Sequence, residues 1–279
     1  MSRYINTKAD VVFWKVFGQH EHLVLSLLNA LLPLEDGKQV ERVKCQDAAY
    51  PYRTQFSNQT IFEVECEETG GRKFIVEMQM NWNASDEHRE RLCEAKSVAA
   101  KSRKGTDDSL RRSVYVLDLV NDTLEPNDGD YYHYYRFGHS QDSCNEQDDL
   151  HLVLVELTKF KIANVAEKKM RVLWLRFLTE IDENTRRAPR VLVDDPLVNE
   201  ALEIVEDLTF SRGVMLAYDK FWDRISIEAT VRRDAAVASR DAALERLRQT
   251  VRQMKADGMS AEAISKYTGM SAEEIGRVG

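Results

Sequence analysis

The stretch Thr60–Met80, TIFEVECEETGGRKFIVEMQM, decides how the rest of the chain is understood. It predicts two short strands, roughly Ile61–Cys66 and Lys73–Met80, reversed at Glu67-Glu68-Thr69-Gly70-Gly71. Glycine reaches positive φ without a Cβ clash, which a tight reversal needs. Side chains alternate faces along a strand. Phe62, Val64 and Cys66 therefore fall on one side with Phe74, Val76 and Met78, and Glu63 and Glu65 fall on the other with Ile75, Glu77 and Gln79. Pairing Cys66 with Phe74 sets Glu63 directly opposite Glu77, with Cβ atoms about 5 Å apart. Like charges so placed repel, and burial raises a carboxylate pKa. A divalent cation relieves both costs, and Mg²⁺ is typically held by one or two carboxylates plus water. Gln79 shares that face and is placed to orient a water or a phosphate. The plain alternative is a polar hairpin face that meets only solvent.

The 279 residues suffice for a sizeable core in one large or two smaller domains. A hydrophobic content of 43% with 31% charged residues excludes a disordered chain. The net charge of −8, from 39 basic against 47 acidic side chains, means that any nucleic-acid surface must be a local basic patch. Cys45, Cys66, Cys93 and Cys144 form no C-x-x-C pair, which argues against a zinc ribbon or a disulfide framework. With neither a signal-peptide core at the N-terminus nor an apolar run of membrane length, the expected location is cytoplasmic, away from any membrane. Phosphate-binding glycine loops, G-x-S-x-G and H-E-x-x-H are missing as well.

In chain order, Asn6 or Thr7 is the expected cap of a first helix with Asp10 in its opening turn, an apolar stripe at Val12, Phe13, Val16 and Phe17, and a stop at Gly18. A second helix runs to about Leu32 and ends at Pro33. Val40–Cys45 predicts a strand, and an irregular polar stretch with Pro51 leads to the hairpin. A polar helix over about 85–102 carries Arg89 and Lys96 one i, i+7 step apart, a spacing that meets phosphates on one side, or else a solvated face paired with Glu87, Glu90 and Glu94. Strands are expected at Ser113–Val120, Tyr131–Phe137 and His151–Leu157. The tyrosines at 131, 132, 134 and 135 fit base stacking or, more simply, packing against a helix. Helices are expected over about 166–181, 196–209 (Pro196 at its first position) and 211–256. In the last of these, Val237, Leu244 and Val251 recur at seven-residue spacing, with Leu247 and Met254 at the alternate position that Arg233 and Arg240 occupy earlier, which suggests a protruding helix or one that pairs with a second copy over its C-terminal half. The tail from Gly258 holds two short helices preceded by Ser260 and Ser271, too small for a core of its own.

The hairpin resembles the core of the PD-(D/E)xK nuclease superfamily, and specifically the Rpn family of recombination-promoting nucleases or transposases. Glu63 falls on that family's first acidic position and Glu77-Met78-Gln79 on its E-x-Q. The opening KADVVFWKVFG with its following leucine-rich helix, ELTKF at 156–160 and the tail extend the resemblance in the same order along most of the chain. It implies an α/β restriction-endonuclease-like core over 1–165, with a mixed central sheet flanked by helices. A helical region over 166–257 and a small tail over 258–279 would follow. It also implies a Mg²⁺- or Mn²⁺-dependent DNA endonuclease linked to recombination or DNA mobility. Glu63 and Glu77 would be the metal ligands, Gln79 and Asp10 further catalytic residues, and Arg89, which matches a characteristic family arginine, a phosphate contact beside Lys96. Three departures stand out: Glu63 replaces the usual Asp, Gln79 the superfamily lysine (as is typical of the Rpn group), and Leu92 and Cys93 the usual tyrosines. These departures keep a second reading open, a catalytically decayed member serving as a DNA- or protein-binding scaffold that forms a homodimer through its C-terminal helix.

Overall fold

Gly70 and Gly71, at φ of 97° and 83°, reverse the chain between two nine-residue strands, and the fold grows outward from that hairpin. The computed structural model describes residues 3–45, 60–82, 113–124, 126–137, 150–161 and 169–278. Within them the strands are β1 (Val40–Cys45), β2 (Thr60–Glu68), β3 (Lys73–Asn81), β4 (Ser113–Val120), β5 (Tyr132–Phe137) and β6 (Leu150–Glu156). They form one mixed sheet in the order β1-β2-β3-β4-β6-β5. The pairs β1–β2, β2–β3 and β5–β6 are antiparallel, while β3–β4 and β4–β6 are parallel. The chain follows the expected α/β plan: a mixed sheet flanked by helices, then a long C-terminal helix.

One face of the sheet is the core. Val64, Cys66, Phe74, Val76, Met78, Tyr115, Leu117, Leu119, Val153 and Val155 are buried there. The N-terminal helices α1 (Asp10–Phe13) and α2 (Glu21–Leu31), together with α3 (Lys169–Glu180), supply its aromatic and leucine side chains. Phe17, Trp174 and Phe177 meet edge to face, with ring centroids 5.3–6.3 Å apart. The Trp174 indole N–H donates to Ser26 Oγ at 3.0 Å, so the buried ring keeps its hydrogen bond. Asn29 on α2 donates to the Val40 carbonyl and accepts from the Val40 amide, which fastens β1 at the sheet edge to the helix layer. At the far side of the sheet the Tyr132 hydroxyl donates to the Leu31 carbonyl, and the Arg171 guanidinium lies 4.3 Å from the Tyr132 ring.

The first helix departs from expectation. Neither Asn6 nor Thr7 caps it; the cap position is Ala9, without a side-chain bond. Asn6 instead accepts from the Lys8 amide, and the Thr7 hydroxyl lies within reach of the Phe177, Leu178 and Ile181 carbonyls at the end of α3. After four residues α1 widens into a π turn, Trp14–Gly18. The Trp14 indole lies across Gly18, and His20 Nδ1 sits 3.1 Å from both the Lys15 and Val16 carbonyls that the turn leaves open. Leu32 is extended at ψ 139°, as a residue before proline must be, and α2 ends there.

The helical region contains α4 (Arg190–Val193), α5 (Pro196–Leu208, capped by Asp195 with Pro196 in the first turn) and α6 (Arg212–Ala256). By internal contacts the chain divides within α6 into units 1–222 and 223–279. In the second unit α7 (Ala261–Thr268) and α8 (Ala272–Arg277) fold against the end of α6. Gly258 and Gly269 each sit at positive φ, a methionine follows each, and Ser260 and Ser271 then cap the next helix. Met259 and Met270 pack on Val251, Ile264, Ile275 and Val278. The tail thus borrows Val251 and Met254 from α6, as so small a segment requires. Val237 and Leu244 of the same seven-residue series remain exposed. Among the described residues, no helix is long and apolar enough to cross a membrane.

A Cβ added at Gly18 would lie 2.7 Å from Trp14 Cδ1, inside a ring that is itself buried. Alanine gains about 1 kcal/mol over glycine in a helix interior, but overpacking a fixed ring costs about 1–3 kcal/mol. Gly18→Ala is therefore expected to lower stability, measured as a fall in the urea midpoint at unchanged m-value.

Candidate active site

The alternation that buries Phe74, Val76 and Met78 turns Glu77 and Gln79 to the opposite face of the sheet. The register is the expected one: Cys66 opposite Phe74 and Glu63 opposite Glu77. Both glutamates are half-buried. Burial raises the Glu77 pKa above the usual carboxylate range, and the charge on Glu63 raises it further. Gln79, two residues on, is buried at 6% exposure.

The parallel neighbour continues this face. Gln79 lies opposite Asp118 of β4, a fully buried carboxylate that the sequence reading did not single out. One register step further, Asn81 pairs with Val120, and Val120 with Glu156 of β6. Glu156 is fully buried and accepts from Lys159 Nζ at 2.8 Å, His133 Nε2 at 3.0 Å and the Leu124 amide at 2.7 Å. This explains the charged residues of ELTKF: Glu156 and Lys159 bind the chain on either side of the strand end. The signal for Asp118 was present in SVYVLDLV, where one carboxylate interrupts a wholly apolar strand. Below these groups Val114, Val116, Leu150 and Leu152 form an apolar cluster on the same face.

The end of β3 is tied to the N-terminus. Trp82, one residue past β3, donates its indole N–H to the Lys8 carbonyl at 3.0 Å, two residues before Asp10. Asp10 is buried at 6% exposure and accepts from the Val11 amide at 2.7 Å. It does not join Glu63 and Glu77 in one cluster: among the described residues, no three Asp, Glu, His or Cys side chains group as a metal site. Arg89 and Lys96, with Leu92 and Cys93, lie outside the described residues. Burial pushes the Cys45 and Cys66 thiols up to about 11 and about 12, which disfavours the thiolate at either position.

The two facing glutamates suit a divalent cation with a small protein ligand set completed by water or phosphate, which would offset the burial and like charge that raise the Glu77 pKa. Without a cation, ionised Glu77 disfavours the fold, because its folded-state pKa stands above the unfolded one. That cost is present at neutral pH and is relieved as pH falls through the folded pKa toward the unfolded value. Glu77→Gln is therefore expected to raise the Tm of chelator-treated protein at pH 7, with the gain vanishing below about pH 4.

Comparison with known proteins gives one match. The sequence model described as PD-(D/E)XK nuclease family transposase aligns with residues 7–226, from the tethered N-terminus through the sheet into α6. No curated protein and no solved structure matches the chain. A match over this much of the chain, set on a mixed sheet that carries Glu63 opposite Glu77, means that the protein belongs to the PD-(D/E)XK nuclease family of transposases.

Proposed function

We propose that this protein is a divalent-metal-dependent DNA endonuclease acting in DNA mobility or recombination. The observation that carries the reading is the register of β2 on β3, which sets Glu63 and Glu77 together on a half-buried face with Gln79 beside them. Glu63 and Glu77 would hold Mg²⁺ or Mn²⁺, which when bound lowers the pKa of water and stabilises charge on a scissile phosphate. Gln79 would orient the attacking water by hydrogen bonding. Carrying no charge, it would do so less strongly than a lysine. Asp10, outside any common cluster with the two glutamates, would act through water rather than as a direct ligand. Arg89 and Lys96 keep their proposed role of holding phosphates.

Self-association through α6 is part of the same proposal. With Val251 covered by the tail, the contact would rest on Val237 and Leu244, which are 52% and 41% exposed. Val237→Asp with Leu244→Asp is expected to shift a dimer to monomer in sedimentation and to remove the dependence of Tm on protein concentration that dimerisation confers.

Purified protein is expected to nick supercoiled plasmid with Mg²⁺ or Mn²⁺ and not with chelator. Glu63→Ala and Glu77→Ala should each lose on the order of a thousandfold in rate, as removal of several kcal/mol of charge stabilisation implies. Undiminished cutting by both variants would sink the assignment. A metal that binds only the folded state should also raise the wild-type Tm, by about 2.7 kcal/mol of stability at a hundred times its Kd. That rise should disappear in Glu77→Ala.

A further inference from the structure

The loop that follows α3 carries the sequence Thr185-Arg186-Arg187-Ala188-Pro189-Arg190. Arg186, Arg187 and Arg190 are exposed, while Ala188 and Leu192 are buried and fix the segment to the unit. Several other described arginines of that unit are engaged. Arg3 pairs with Glu206, Arg72 with Glu68 and Ser113, Arg176 with Glu180, and Arg171 with the Tyr132 ring. Among the described residues, no hydrogen bond, ion pair or ring contact holds Arg186, Arg187 or Arg190. Acids flank the segment at Asp182, Glu183, Asp194 and Asp195, and none of them forms an ion pair with the three guanidiniums; Asp182 accepts from Asn184 and Thr185, Glu183 from the Tyr218 hydroxyl, and Asp195 from the first amides of α5. Three guanidiniums within five residues, on a chain of net charge −8, form a local cationic patch.

Its position gives the patch a use. The loop leaves the end of α3, where the Ile181 carbonyl accepts from the Thr7 amide and the Leu178 carbonyl accepts from Lys8 Nζ. Lys8 in turn holds Trp82 at the end of β3, three residues past Gln79. A continuous set of hydrogen bonds thus links the base of the arginine loop to the strand that carries the candidate catalytic residues. Arginine matches phosphate oxygens with two parallel N–H donors, and it needs no base edge to do so.

We infer that Arg186, Arg187 and Arg190 form a docking surface for the sugar-phosphate backbone of DNA, on the loop that leaves the end of α3. The inference takes its partner class from the nuclease reading, but it assigns binding to a loop beyond the sheet and predicts contact without sequence preference. The test is fluorescence anisotropy with labelled duplexes of several sequences, in chelator so that nothing is cut, over a series of salt concentrations. Full-length wild type is compared with Arg186→Gln/Arg187→Gln/Arg190→Gln and with a charge-matched control, Arg232→Gln/Arg233→Gln/Arg240→Gln on α6. The loop variant should bind every sequence more weakly, with the slope of log K against log salt reduced by about 1 per arginine removed. Its Tm and the control's binding should stay at wild-type values. Wild-type affinity in the loop variant, an equal loss in the control, or no DNA binding by wild type would each overturn the docking surface. Binding lost as expected, in a protein that nicks no plasmid with any metal, would keep the surface and remove the nuclease.

Discussion

The apolar alternation of β2 and β3 forces two negative charges to share one patch of sheet. Val64, Cys66, Phe74, Val76 and Met78 have to face the helices, and a strand has no means of hiding them other than its twofold period. A slip of one residue would turn that whole set outward and bring the glutamates into the core. Hydrophobic burial is the larger effect, worth roughly 1.5–3 kcal/mol for each large side chain, whereas a like-charged cross-strand pair costs only about 0.2–1 kcal/mol. The core therefore dictates the register, and the register dictates that Glu63 meets Glu77. The repulsion is a tolerated cost of the fold, one that a bound cation would offset.

Beyond that pair the sheet is braced at the end where β3 and β6 both finish. Glu156 gathers three donors at the end of β6, which leaves a fully buried carboxylate with good partners rather than stranded. Trp82 and Lys8 join the end of β3 to the start of the chain, and Thr7 joins that start to α3. These bonds tie the strand that carries Gln79 to the N-terminal segment and, through it, to the end of α3.

Much of this was legible in the sequence because the hairpin obeys local rules. The glycine pair, the alternation and the resulting Glu63–Glu77 register all follow from short-range geometry, as do Pro33 stopping α2, Pro196 starting α5 and Ser271 capping α8 with Glu274 in reply. What escaped depends on distant partners. Thr7 looks like a helix cap, yet its hydroxyl meets carbonyls some 170 residues away. The π turn at Trp14–Gly18, with the Trp14 ring over Gly18, is a feature that no periodicity reveals. Asp118 counts only once β4 is known to lie beside β3. Val251 belonged to a convincing seven-residue series, but the tail covers it first.

The bonds from Thr7 to the end of α3 also carry a temporal meaning. The hairpin needs only neighbours and can close as soon as it leaves the ribosome. The clamp on the start of the chain waits for carbonyls 170 to 174 positions later, roughly 10–30 s of synthesis at ordinary elongation rates. During that interval Thr7 and Lys8 lack their partners at the end of α3. A prematurely terminated product, lacking α3, would carry the acidic face without the clamp that braces it, so assembly of the finished face is deferred until most of the chain has been made.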